Sequence, residues 1–314
     1  MELTQIVDFK IGRSIQGFYL CREKHIRHTR KGDMYVDMAL SDATGVVMGK
    51  MWDHVQEFSS KFESGDPVAV KGKVTEYQDQ LQLTITQINL ADKKRYGKYG
   101  FTPEQLVEQI KESPEEMWND LTTIIHSLSS PYQDLLTFIF TENKQQILQL
   151  PGSMNHHHPV QGGFLKHTVN TAQLCEKILP IYPHLDYNLC MSGILLHDIG
   201  KIKSMTSDLI SQHTDIGKLI GHIVLGRDMV REAVKALKKF PEEAALKLEH
   251  IILSHQGTWE KGAVLAPLFP EALFVHFIDE MEGKMDLIQK VIQDDPNPVW
   301  TDSHNPFRRE LFKK

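Results

Sequence analysis

Cysteine is scarce in this chain: Cys21, Cys175 and Cys190 are the only three in 314 residues. That is too few for a disulfide framework and fits a reducing cytosol. No apolar run approaches the ~20 residues that a bilayer-spanning helix needs. The amino-terminal MELTQIVDFKIGRS has an acidic second residue and no apolar stretch of signal-peptide type. A cytoplasmic protein without membrane association is therefore expected. Internal repeats and low-complexity segments are also missing, which excludes collagen-like, coiled-coil and disordered classes. Excess positive charge is absent too, since the formal net charge is −6. A uniformly basic nucleic-acid binder is thereby excluded.

The charge is uneven, however. Residues 1–100 carry 15 Lys+Arg against 13 Asp+Glu, whereas the remainder carries 20 against 28. Between positions 20 and 31, Arg22, Lys24, Arg27, Arg30 and Lys31 face only Glu23, a local patch that suits phosphate. The flanking segments 14–21, 34–40, 46–52, 68–75 and 81–90 alternate or run apolar at strand length, and 54–62 suits a short helix. Five strands with a helix between the third and fourth is the element order of an OB-fold barrel. Residues 1–90 are assigned to it, and the polar, basic stretch 91–102 to a linker.

After Pro103 the periodicity becomes helical. Helices are expected over 104–111, 115–128, 132–141, 163–179, 185–197, 216–238, 242–254 and 271–292, with prolines or glycines in most gaps. The fold class is thus a small β-barrel followed by an all-α domain over 103–295, with a tail over 296–314. Thirteen of the sixteen histidines lie after residue 120, and several sit at element ends. His167 follows Gly162-Gly163. His197-Asp198 closes the apolar run 194–196, His222 ends LIGH, and His255 closes 251–254. Asp279 ends VHFID. Packing does not explain an adjacent His-Asp at the end of an apolar helix, because a buried carboxylate needs a partner or a metal. Imidazole plus carboxylate donors suit Mn²⁺, Fe²⁺, Co²⁺ or Zn²⁺ better than Ca²⁺.

The order His167 … His197-Asp198 … His222 … His255 … Asp279, in the contexts GGFLKHT, GILLHDIGK, GKLIGHI, ILSHQG and PEALFVHFIDEMEGKMD, resembles the HD-domain metal-dependent phosphohydrolases. With an OB-like domain in front, nearly the whole chain is similar to the YhaM-type 3′→5′ exoribonucleases. The resemblance implies that His167, His197, Asp198 and Asp279 hold a first metal, with Asp198 bridging, and that His222 and His255 complete a second. Two such ions, Mn²⁺ first among Co²⁺, Fe²⁺ and Mg²⁺, would activate water against the phosphodiester of single-stranded RNA and release 5′-mononucleotides. Asp198 and Lys201 are the implied catalytic residues. Lys201, three residues after Asp198, is also implied to meet the substrate phosphate. The alternative for Lys201 is a helix-end lysine favoured by the macrodipole. His157 and His158, within Asn155-His156-His157-His158, match a pair that the family carries before its first ligand and would line the pocket. His213, His250 and His276 are read as ordinary surface or core histidines, and Cys175 and Cys190 as core.

Single strands are gripped by a positive groove and aromatic platforms. The aromatic candidates are Phe18, Tyr19, Tyr35, Trp52 and Tyr77, of which Tyr19 and Tyr35 are expected to face outward. Arg22, Lys24, Arg27, Lys31, Lys71 and Lys73 are the candidates for phosphate. Single-stranded DNA is a second candidate ligand. The alternative function is a phosphohydrolase or phosphodiesterase acting on free or cyclic nucleotides, with the barrel in assembly or regulation. The tail, with Trp300, Phe307, Arg308, Arg309 and Phe312, suits docking on the body or on a second copy, which makes a homo-oligomer a candidate assembly.

Overall fold

A computed structural model describes residues 3–154, 157–237 and 239–314. Two compact units divide the chain: Met1–Gln109 with Asp208–Ile210, and Ile110–Ser207 with Ser211–Lys314.

The first unit is a closed five-stranded barrel. Strands β1 (Ser14–His28), β2 (Met34–Asp42), β3 (Gly45–Met51), β4 (Pro67–Tyr77) and β5 (Gln80–Leu90) close in the order β1-β2-β3-β5-β4. All pairings are antiparallel except β3 with β5. Helix α1 (Val55–Ser59) lies between β3 and β4 in sequence. Alternation fills the interior: Ile15, Val36, Met38, Leu40, Val70, Val74, Leu83 and Ile85 are buried in one cluster. A register shift between Cys21 and Glu23 marks a bulge at Arg22, beyond which β1 extends with β2 alone.

The stretch expected to be a linker is instead part of this unit. Helix α2 (Lys93–Tyr96) is capped by Asp92, whose Oδ1 accepts from Arg95 N at 2.8 Å. Ala91 and Phe101 are buried with Leu20 and Leu106. Two apolar side chains anchor a segment whose composition is otherwise polar and basic.

The second unit contains α3 (Pro114–His126), α4 (Tyr132–Glu142), α5 (Lys144–Ile147), α6 (Gly163–Ile178) and α7 (Tyr187–Leu196). It continues with α8 (Lys201–Ser204), α9 (Asp215–Ile220), α10 (His222–Leu237), α11 (Glu242–Ser254) and α12 (Pro270–Asp294). Helix α7 is central, with every residue from Leu189 to Leu196 buried, and it packs on α4, α6, α11 and α12. Cys175 and Cys190 lie in this core. The helix expected over 104–111 is only a 3₁₀ turn, Pro103–Leu106. The helix expected over 216–238 is broken at Gly221, whose φ of +81° a side chain would strain. That break makes His222 the first residue of α10. The tail closes on itself, with Thr301 N donating to Leu311 O and the Trp300 and Phe312 rings 4.9 Å apart.

Candidate metal centre and nucleic-acid face

Five elements converge on one polar pocket in the helical unit. His167 stands in α6, and His197-Asp198 directly follow the C-terminus of α7. His222 opens α10, His255 directly follows α11, and Asp279 is in α12. His167, His197, Asp198 and His255 are buried. Asp198 lies between two groups. On one side His167 Nε2 and His197 Nε2 are 3.2 and 3.5 Å from Asp279 Oδ1, and 4.0 and 3.4 Å from Asp198 Oδ2. On the other, His222 Nε2 and His255 Nε2 are 3.2 and 3.6 Å from Asp198 Oδ1. The six residues singled out by their order in the chain are thus brought together.

Close packing of α8 on α10 makes this possible. A Cβ on Gly200 would lie 1.9 Å from His222 O and 2.4 Å from Gly226 N. Glycine two residues after Asp198 therefore lets His222 reach it.

Outer contacts fix the imidazoles. His197 Nδ1 donates to Ile194 O at 2.6 Å and His255 Nδ1 to Ile252 O at 2.8 Å. His167 Nδ1 donates to Glu282 Oε2 at 2.6 Å. A carbonyl only accepts, so Nδ1 of His197 and of His255 carries a hydrogen, and in all three residues Nε2 is the nitrogen that faces the carboxylates. Glu282 also takes bonds from His158 Nε2 at 2.7 Å and Asn170 Nδ2 at 2.8 Å. His276 Nδ1 donates to His255 O at 2.7 Å, bracing the ligand's own backbone.

Electrostatically this cluster seeks a cation. Burial opposes charge on Asp198, but the Lys201 and His197 charges hold its carboxyl well below the usual range. Burial likewise opposes Asp279, and His197 and His167 hold it down. Burial would lower His197, yet the Asp198 and Asp279 carboxylates outweigh it and raise it to about 10. Burial and then the His197 charge push His255 down to about 4, leaving it neutral and competent as a ligand. Asp198 Oδ1 and His222 Nε2 lie 3.2 Å apart but out of hydrogen-bond alignment, and both are buried without a hydrogen-bond partner among the described residues. Converging imidazole nitrogens and carboxylate oxygens, with buried unsatisfied atoms among them, are a donor set that fits a divalent cation. The Gln256 amide, which donates to His255 Nε2 at 3.0 Å, would give way to it.

Several expectations need correcting. Lys201 is buried, with its ammonium paired to Asp198 Oδ2 and bonded to Gly152 O. In that position it neutralises the shared carboxylate. His158 is buried and held by Glu282 and by Asp286, 3.1 Å from Nδ1, so it is part of the support for His167. His157 lies against His167, ring centroids 4.7 Å apart, with Nε2 unpartnered among the described residues. Burial, then the Lys201 charge, lowers it to about 3. Asn155 and His156 lie outside the described residues. The reading of His276 as ordinary missed its bond to His255 O. Glu282 was also missed, although its position three residues after Asp279, on the same helical face, was a usable signal.

The barrel has an aromatic face of its own. Tyr35 and Trp52 stack at 4.7 Å and 25°. Lys50 Nζ lies 5.7, 5.8 and 5.3 Å from the rings of Tyr35, Trp52 and Tyr77. Trp52 and Tyr77 are about half exposed, so their rings are open to a base. Tyr35 is outward, as expected, but Tyr19 is fully buried, its hydroxyl donating to Thr4 O at 2.6 Å. Lys24 is also withdrawn: it donates to Ser59 O and Phe62 O and pairs with Glu63 at 2.6 Å. Arg22 Nε donates to Ser41 Oγ at 2.8 Å, and Arg27 pairs with Asp37 at 3.3 Å, though both residues remain exposed, as does Lys31.

Residues 164–284 match the HD domain family and residues 23–91 match the OB-fold nucleic acid binding domain family. Over 285 residues the chain is 27% identical to the 3′-5′ exoribonuclease YhaM of Shouchella clausii (strain KSM-K16), covering 90% of this chain and 88% of that protein. The second OB-fold domain of replication protein A from Methanococcus maripaludis matches 29% of this chain and 96% of its own, at 19% identity and a TM-score of 0.25. For the single-stranded DNA binding protein from Thermus aquaticus the shares are 25% and 40%, at 18% identity and a TM-score of 0.23. The chain is therefore an OB-fold barrel followed by a helical HD domain, and no helix among the described residues is long and apolar enough to cross a membrane.

Proposed function

We propose that this chain is a cytoplasmic, metal-dependent 3′→5′ exoribonuclease that hydrolyses single-stranded RNA to 5′-mononucleotides. The observation that carries the reading is Asp198 shared between two histidine-containing groups, in a chain that also has an aromatic, lysine-bearing barrel face. Similarity to the YhaM exoribonuclease along most of both chains supports the direction of attack and the substrate class.

His167, His197, Asp279 and Asp198 would hold one divalent ion, and Asp198, His222 and His255 the second, with Mn²⁺ the first candidate. Such a pair supplies an activated water and charge stabilisation for an in-line displacement at phosphorus. The chain's own groups do the rest. Glu282 and the carbonyls of Ile194 and Ile252 hold the imidazoles in the ligand tautomer. Lys201 holds the shared carboxylate in place against Gly152. His157, neutral at pH 7, has an unpartnered ring nitrogen suited to a phosphate oxygen. Tyr35, Trp52, Tyr77 and Lys50 give the barrel a platform for bases and a positive charge for the backbone.

The test is a time course on 5′-labelled single-stranded RNA with Mn²⁺, run beside an EDTA control and Asp198→Asn. The expected result is a ladder shortening from the 3′ end, lost with chelator and with the variant. Intact RNA under metal-replete conditions, with turnover of free or cyclic nucleotides, would move the reading to small-nucleotide hydrolysis.

A further inference from the structure

A second feature of the barrel lies on strands that the Tyr35–Trp52 stack does not use. The outer face of β1, β4 and β5 bears a hollow of about 620 Å³, within the range of small-molecule sites. Its floor follows from the register. Gln16 pairs with Lys71 and Lys71 with Gln87, which places two amides on either side of an ammonium in one outward row. In the next row Phe18 pairs with Ala69 and Ala69 with Asn89. Ala69 is the small residue in the middle, and its missing side chain leaves the depression. Tyr96 packs edge-on to Phe18 with centroids 5.6 Å apart, and Phe101 supports Phe18 from behind at 4.9 Å. Tyr99 is 61% exposed, with Lys98 Nζ 5.1 Å from its ring.

The chemistry of the lining is specific. Among the described residues no carboxylate lines the hollow, while two ammoniums do. The amides of Gln16, Gln87 and Asn89 make no side-chain hydrogen bond among the described residues. Side-chain amides present paired donors and acceptors of the kind that base edges satisfy, and exposed tyrosine rings stack on any base. An anion with a flat, hydrogen-bonding ring meets all three demands at once. We infer that this hollow is a second nucleotide site, taking one nucleoside 5′-monophosphate unit, with its phosphate on Lys71 or Lys98 and its base against Tyr99 and the amides. The inference stands on the barrel alone and does not depend on the nuclease reading.

Two sources supply such a unit: a residue of a bound strand, or a free mononucleotide. The experiment uses the full-length chain in EDTA. The four nucleoside 5′-monophosphates are titrated by calorimetry, and a labelled twelve-nucleotide single-stranded RNA by fluorescence anisotropy. The variants are Lys71→Ala/Tyr99→Ala, both exposed positions, and Ala69→Leu, which fills the floor. Trp52→Ala is the control for the other face, and thermal melts check folding. Loss of one stacked base and one phosphate contact should weaken the affected ligand at least fivefold. Weakened mononucleotide binding with unchanged RNA affinity assigns the hollow to free nucleotide, and weakened RNA binding assigns it to the strand. Affinities for both probes within twofold of wild type in the double variant would overturn the proposal and leave the hollow as a contact surface. Because no turnover is measured, failure here leaves RNA cleavage untouched, and failure of wild-type cleavage leaves this result standing.

Discussion

Glu282 offers the sharpest test of how the metal centre is held. Its carboxylate takes three bonds at once: His167 Nδ1 at 2.6 Å, His158 Nε2 at 2.7 Å and Asn170 Nδ2 at 2.8 Å. Burial works against its charge, but the bonds from His158 and His167 outweigh burial and hold the carboxyl far below the usual range. Glu282→Gln keeps the volume and the oxygen but replaces the other acceptor with an NH₂ donor. Asn170 and one histidine can still donate to the oxygen. The remaining histidine then faces a donor and must turn over its tautomer or lose the bond. A hydrogen bond to a charged group contributes roughly 1.5–3 kcal/mol, and loss of an outer partner of a metal-binding histidine typically costs about 10–100-fold in metal affinity. The expected outcome is therefore Mn²⁺ affinity reduced about 10–100-fold, measured by calorimetry on apo-protein, with RNA cleavage restored by excess metal. Asp286→Asn is the matched control, because Asp286 touches His158 and not His167. It should change affinity less than about threefold, below the cost of losing a direct outer partner. If Glu282→Gln binds Mn²⁺ as tightly as wild type, the carboxylate does not orient His167 and the donor geometry has been misassigned.

Two further outcomes are expected. Trp52→Ala, and separately Tyr35→Ala, should weaken single-stranded RNA binding in EDTA by roughly 5–150-fold, the equivalent of one stacked base at about 1–3 kcal/mol; anisotropy that matches wild type would remove the platform from the interface. Burial raises the Cys21 and Cys175 thiols to about 12, at Cys21 against the Lys24 charge, and pushes Cys190 up as well. An unfolded thiol ionises near 8.5, so above that pH the unfolded chain releases protons that the folded chain keeps. Stability from this source is whole below pH ~8.5 and declines as pH rises toward 12, by about 2 kcal/mol per thiol at pH 10. Iodoacetamide at pH 8.5 should accordingly label none of the three in native protein and all three in denaturant, and stoichiometric native labelling of any one would refute the burial argument.

How far these features were legible depends on the range of the contacts involved. The barrel could be read because alternation is local: Val36, Met38 and Leu40 point in while Asp37 does not. His197-Asp198 and His255 stood out because a polar residue at the end of an apolar helix has no packing explanation, and the full set of six followed from the resemblance of their order and contexts to the HD-domain phosphohydrolases. Tyr19 misled because its hydroxyl is satisfied by Thr4 O, fifteen residues away, so a polar tip did not require an outward ring. Lys24 misled because its ammonium meets Ser59 O, Phe62 O and Glu63, nearly forty residues on. The tight stretch 91–102 looked like a linker because only Ala91 and Phe101 are buried in it.

Helix α12 shows where a stronger rule was available. Asp279, Glu282 and Asp286 are spaced i, i+3 and i+7, which puts three carboxylates on one face of a helix. An exposed stripe of that kind is common, and taken alone it says nothing. Here Ala272, Val275 and Ile278 bury the preceding turns of the same helix, so the stripe begins where an apolar face leads into the protein. Carboxylates in that position must meet cations or donors, and α6 supplies them: His167 to Asp279 and Glu282, and Asn170 to Glu282. His158 adds its bonds to Glu282 and Asp286. A ligand carboxylate followed at i+3 by a second one is thus a signal for the residue that orients the facing imidazole, and the distance of 2.6 Å from Glu282 to His167 is the form it takes in this protein.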